Sequence, residues 1–431
     1  MSGSVTAAPA SPLAEWGRRL RRPAFWMPVA DTLAVLTAAS LPWSTSLVGI
    51  FSACWIGAAA MIIDYPAYFR SLKKPAFALP LALLGLAVVG TLWSEAAWSA
   101  RWWSVGPSLK LLFLPVLFHY FQRSSRGMWV FASFGLSCAV LMALSWVVWI
   151  DPRFKLTATL SDGVPVKNYI DQTQEFALCL IALVPVVWRL IHAKQRLLAA
   201  LCVVVMAGFL ANMVFVAFAR SALIYIPAML LILAVRFMSL RSAVLLFAGV
   251  AIVAVALWWT SPFLKSRIGS LASEYEQYAR ENAVTSTGQR LEYWRKSVTF
   301  IAAAPVIGNG TGSVLQLFEQ AAAGQTGVAA EVVRNPHNQT LYVAVQWGLI
   351  GVFVLWAMWF SHLLMFRGEG LAAWIGSLVV VQNVMSSLVN SHLFDFHAGW
   401  MYVLGVGIAG GMVLKEGSKP RFRHSCYHEN S

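Results

Sequence analysis

The chain has 431 residues, 59% of them hydrophobic and 12% charged, with a mean hydropathy of +0.66; these values exclude an ordinary soluble domain and indicate a polytopic membrane protein. The net charge of +14 reflects a shortage of acids, 18 against 32 Lys and Arg, so it does not point to a nucleic-acid-binding surface. The 20 tryptophans and 18 prolines fit the membrane class, because Trp anchors at headgroup level and Pro is tolerated in packed membrane helices.

In chain order, residues 1–23 form a cytoplasmic segment in which Arg18, Arg19, Arg21 and Arg22 precede the first apolar run. "AEWGRRLRRPAFWMP" has no clear small-residue cleavage site, which predicts an uncleaved first span. Apolar runs near 24–42, 45–63, 76–93, 107–121, 128–150, 174–191, 197–216, 221–238 and 242–260 predict nine helices over 24–260. Runs at 337–365, 371–390 and 397–414 predict three more over 337–414, and a basic tail occupies 415–431. Each run is long enough, or nearly so, to cross about 30 Å of hydrocarbon. The fourth run is short, and the division at 216–221 rests on a brief turn. Nineteen basic residues of the termini and short connections then fall on the N-terminal side and six on the other, which places both termini in the cytoplasm. Cys54, Cys138, Cys179 and Cys202 lie inside apolar runs and Cys426 in the tail, so they are read as packing residues.

Residues 261–336 differ from every other connection: they are long and polar, and fall on the outer side. "LKSRIGSLASEYEQYARENA" and "GQRLEYWRKSVTFIAAAP" have helical apolar spacing, which predicts two or more helices capping the membrane domain; long loops of this kind are usually functional. "GNGTGS" reads as a turn or hinge. At the loop's end, "VVRNPHNQTLYVAVQWGLIG" places Asn335 as helix N-cap, Pro336 at the first helical position and His337 in the first turn. At 100° per residue, Leu341, Ala344, Gly348 and Gly351 share the face of His337, and the glycines let a neighbouring helix approach closely. An interfacial histidine over a packing seam is the structural alternative. Arg220, in "FVAFARSALIYIPAML", sits at the outer edge of two apolar spans, where it needs an anion or an acid partner; Asp395, in "SHLFDFHAGW", is on the same side. Arg290 lies in a basic stretch with Arg295 and Lys296 and gains interest only through partners. The outer acids Glu95, Asp151, Asp162, Asp171 and Glu175 are scattered, without the pairing of Mg or Mn sites. Phosphate loops, dinucleotide motifs and zinc spacings are lacking. A basic, metal-poor pocket at the lipid interface suits a phosphorylated lipid.

"HNQTLYVAVQWGLIG", with His337, Asn338, Gly348 and Gly351, resembles the signature of the lipopolysaccharide O-antigen ligase superfamily, which also holds O-antigen polymerases and bacterial protein O-oligosaccharyltransferases. "FARSALI" around Arg220 and "STGQRLEYW" with Arg290 and Trp294 are similar to further motifs of that superfamily, in the same order. The resemblance implies an all-α fold similar to the GT-C membrane glycosyltransferases, with about twelve transmembrane helices and one large helical periplasmic loop. It implies transfer of a glycan from undecaprenyl-diphosphate to an acceptor hydroxyl, on the periplasmic face of the bacterial inner membrane. Protein-glycosylating members commonly carry a soluble C-terminal domain, whereas this chain ends in "KEGSKPRFRHSCYHENS". That favours a ligase acting on lipid A-core, with the polymerase as alternative and a lipid-linked glycan flippase as a reading from a different class. On this reading His337 is the general base and Arg220 and Arg290 grip the diphosphate, with no metal or other cofactor. Arg153, Lys155 and Lys167 are weaker cationic candidates, and Asn338, Trp294 and Asp395 are expected to contact substrate.

Overall fold

The computed structural model describes residues 23–417 apart from residue 160, and every regular element among them is helical. The N-terminal arginines and Lys419, Arg421, Arg423 and Cys426 of the tail lie outside the described residues. The helices are α1 (Pro23–Ser40), α2 (Thr45–Ala60), α3 (Tyr65–Ser71), α4 (Pro75–Val89), α5 (Trp98–Val105), α6 (Phe113–Phe121), α7 (Gly127–Ile150), α8 (Tyr169–His192) and α9 (Arg196–Phe215). They continue as α10 (Ala222–Phe237), α11 (Leu240–Thr260), α12 (Pro262–Glu281), α13 (Ser286–Ala303), α14 (Ser313–Ala322), α15 (Gln339–Met365), α16 (Leu371–Ser386) and α17 (Phe396–Gly417).

Each of the twelve apolar runs contains a helix. Among the described residues seven stretches can cross a membrane by length and composition, and α2 with α3, bent by 112°, makes up to eight. The remaining apolar helices α1, α4, α10 and α16 are shorter. The short fourth run is extended by α5 and a 3-10 turn (Gly106–Leu112) into one stretch from Trp98 to Phe121.

The core is organised around α17, which is buried continuously from His397 to Gly411. Small residues make this possible: Gly407 faces Leu117, Gly410 faces Phe118 and Gly411 faces Phe121, so α6 packs directly on the α17 backbone. By contrast α11 buries no residue, leaving an apolar surface that suits lipid. Asp31, within α1, accepts hydrogen bonds from Tyr120 Oη (2.8 Å) and Ser124 Oγ (2.6 Å), which makes it a helix-packing contact.

The loop forms α12 and α13 where expected, plus α14. Its glycine-rich stretch, however, is not a hinge. Helix α15 breaks at Trp347 and Gly348, where Gly348 adopts φ 58°, and residues 305–310 insert into the break. Leu349 N–H donates to Pro305 O (2.9 Å), while Asn309 N–H and Gly310 N–H donate to Val345 O and Gln346 O (both 2.9 Å). The backbone groups freed by the break are thus paired by another segment, as a low-dielectric interior requires. A Cβ on Gly348 would lie 2.3 Å from Val306 O, so this glycine admits an inserted loop, not a neighbouring helix. The break also ends the continuous face expected from His337 to Gly351.

Candidate active site

The site begins with a turn that is offset from its expected position. Asn338, not Asn335, caps α15, its Oδ1 accepting from Leu341 N–H at 3.0 Å while its Nδ2 donates to Leu388 O at 2.9 Å. Asn335 Oδ1 instead accepts from His337 N–H (2.9 Å) and Ser391 Oγ (2.7 Å). His337 therefore stands before the helix with φ 54°, a left-handed conformation uncommon for residues with a side chain. It is sustained by contacts with the 387–395 connection, including Gln339 N–H to Ser387 O at 2.9 Å. Local signals favoured Asn335-Pro336, but these tertiary hydrogen bonds decide the start.

The imidazole is oriented by Asn390, a residue that sequence reasoning missed. Asn390 Oδ1 accepts the Ser391 backbone N–H (2.9 Å) and lies 2.9 Å from His337 Nδ1. A backbone N–H can only donate, so this oxygen is fixed and Nδ1 must carry the proton, leaving the Nε2 lone pair available. Asn390 Nδ2 reaches His392 Nε2 (2.9 Å) and Asp395 Oδ2 (3.2 Å). Burial lowers the His337 pKa, opposed by the Asn390 hydrogen bond and helped by the nearby Arg290 charge. Burial, with His337 and Arg290, drives His392 down to about 3. Both rings are therefore neutral at neutral pH.

On α13, Arg290, Tyr293 and Trp294 are spaced to share one helix face, and the face meets His337. The Tyr293 ring lies nearly parallel to the imidazole, 6.1 Å between centroids at 27°, and Trp294 Nε1–H donates to Pro336 O at 3.1 Å. Trp294 thus holds the backbone that presents His337. Arg290 is half-buried and makes no hydrogen bond or ion pair with any described residue. Burial lowers its pKa, and Arg220 adds to the effect, whereas Tyr169 and Glu274 oppose it; a guanidinium stays charged under such shifts.

Arg290 opens into a cavity of about 200 Å³ bordered also by Tyr169, Arg220, Glu274, Asn390 and His392. His337 is one hydrogen bond behind its wall, through Asn390. Arg220, from the turn between α9 and α10, is paired there: Nη2 and Nη1 meet Glu274 Oε1 and Oε2 at 2.7 and 3.0 Å, and Nη2 donates to Ser270 Oγ at 2.6 Å. Its acid partner is therefore Glu274 of the loop, and not Asp395. The Arg220 hydrogen bonds hold the Glu274 carboxyl down to about 2.

The other expected residues lie elsewhere. Arg153 is exposed and pairs with Asp151 at 2.6 Å. Lys155 donates to Thr159 O at 3.0 Å. Lys167 reaches Leu41 O and lies 2.7 Å from His397 Nδ1, while His397 Nε2 pairs with Glu175. None of the three borders the cavity. Asp395 reaches the site through Asn390 and through His392, whose Nε2 lies 3.9 Å from its Oδ2, and its backbone carbonyl accepts from Lys110 Nζ at 2.5 Å; burial and Asp171 push its carboxyl up to about 7, against Lys110.

Residues 205–357 match the family model described as O-antigen ligase. The match spans 153 of the 431 residues and makes this part of the chain similar to O-antigen ligases. The matched segment contains Arg220, Arg290, Trp294, His337 and Asn338, whereas Asn390, His392 and Asp395 of the same site fall beyond it. No curated protein matches the chain.

Proposed function

We propose that the protein is an O-antigen ligase of the bacterial inner membrane, with twelve spans and its site facing the periplasm. It moves a glycan from undecaprenyl-diphosphate to a sugar hydroxyl of lipid A-core. The observation that carries this reading is a half-buried guanidinium, Arg290, that pairs with no described residue, beside an imidazole whose basic nitrogen meets no described partner. The acceptor oxygen attacks the anomeric carbon as His337 Nε2 takes its proton. The bond from that carbon to the diphosphate oxygen breaks, and its electron pair leaves with the diphosphate. Attack opposite the leaving group inverts the anomeric centre. General-base assistance of this kind contributes typically about 10²–10⁴ in rate, and the charge growing on the diphosphate is stabilised by Arg290 and, once released from Glu274, by Arg220.

Purified protein in detergent, supplied with a lipid-linked glycan and lipid A-core, should yield ligated product, with and without EDTA. Loss of activity on chelation, restored by Mg or Mn, would overturn the metal-independent mechanism. Elongation of the lipid-linked glycan in place of transfer to lipid A-core would make the protein a polymerase. Absence of any product without a membrane to cross, together with translocation in vesicles, would favour a transporter.

A further inference from the structure

The Glu274 carboxylate occupies a place built for a stronger anion. Besides the two guanidinium contacts, its Oε2 accepts from Thr287 N–H at 3.1 Å and Thr287 Oγ1 at 2.6 Å. Thr287 lies in the first turn of α13, behind the cap Thr285, whose side chain accepts from Gly288 N–H. The carboxylate therefore draws on two guanidinium N–H groups, a hydroxyl and a free N–H at the positive end of an 18-residue helix. Planar guanidinium forks and helix N-termini bind phosphoryl oxygens by the same geometry. One turn along α13, Arg290 faces the same cavity and pairs with no described acid. Among the described residues the cavity thus holds two arginines and one carboxylate, and that carboxylate sits where one of two linked phosphates would bridge towards Arg290.

We propose that Glu274 is a placeholder anion: it holds Arg220 and the first turn of α13 in the empty site, and a phosphoryl group of the incoming diphosphate displaces it. The proposal rests on the diphosphate reading of the cavity. Glu274 then sets how tightly the site holds its donor, and also how readily it releases the product, since the carboxylate returns to Arg220 as the phosphates depart. The pair is only partly exposed, 17% for Arg220 and 18% for Glu274, so water does little to loosen it, and displacement needs an anion that can use the same donors.

The test is calorimetric titration of inorganic diphosphate into the full-length protein in detergent. Wild type should bind weakly, and Glu274→Gln, which keeps the size and removes the charge, should bind about tenfold or more tightly, the scale of one charge-assisted contact no longer contested. Thr287→Val, which keeps the carboxylate but removes one of its hydrogen bonds, should tighten binding by a smaller factor and serves if the glutamine variant fails to fold. Equal or weaker binding by whichever of these variants folds would overturn the placeholder role while leaving the cavity an anion site. If neither wild type nor variant binds diphosphate, the anion reading of the cavity falls as well.

Discussion

Two arginines border one cavity and are held in opposite ways. Arg220 is gripped by a bidentate carboxylate and a serine hydroxyl, whereas Arg290 touches no acid among the described residues and lies close enough to depress the basicity of two histidines. A guanidinium already satisfied adds little to a ligand unless its partner leaves; an unsatisfied one, half out of water, gains the whole of a new charge-assisted contact. On the proposed mechanism, the difference separates a structural half of the site, which joins the loop to the membrane helices, from a reactive half gathered around His337.

The strongest test of the reactive half is its imidazole. His337→Asn should lower glycan transfer by about 10²–10⁴-fold at unchanged yield of folded protein. Asn is preferable to Ala here because it tolerates the left-handed backbone at φ 54°. Turnover like wild type, measured at matched protein levels, would remove His337 from the chemistry.

The arginine comparison itself comes next. Arg290→Lys should cost about ten- to a hundredfold in kcat/KM, because a point charge cannot reproduce the fork; Arg220→Lys should cost less. Equal losses would erase the distinction between the halves. Asn390→Leu should cost about tenfold, the worth of one buried hydrogen bond and the tautomer it fixes, with activity recovered in Asn390→Asp; full activity in the leucine variant would leave His337 oriented by other contacts.

The smallest effect lies in pH. The His337 pKa is held below its ordinary value by burial and by Arg290, and as the proposed general base the ring would act only when neutral, so kcat/KM should fall with acid only below the usual histidine range. Arg290→Gln removes the cation, raises the pKa and should move the acid limb to higher pH. An unmoved limb would assign it to another group, such as Asp395.

The helices were legible because each apolar run has few other ways to satisfy its backbone in a membrane. Arg290, Trp294 and His337 were legible as motif residues, and the structure brings them together. Glu274, Tyr293 and Asn390 were not, since nothing in the run of residues around them tells which distant chain they face. The helix start slipped from Asn335 to Asn338 for the same reason: Asn335 spends its side chain on Ser391, 56 positions away. Likewise "GNGTGS" has the composition of a hinge, yet Gly310 and Gly312 press against the backbones of Ser94 and of Ala100 and Arg101.

The break in α15 has a bearing on how such proteins can be recombined. Because residues 305–310 complete the hydrogen bonding of residues 345–350, the loop and the helix below it form one heritable cassette. A chimaera whose junction falls between 310 and 345 joins two halves of a single backbone ladder from different parents. A one-residue insertion on either side leaves its partners out of register. Exchange of donor or acceptor preference between related enzymes should therefore succeed with crossovers placed before α12 and after α15, and fail with crossovers inside.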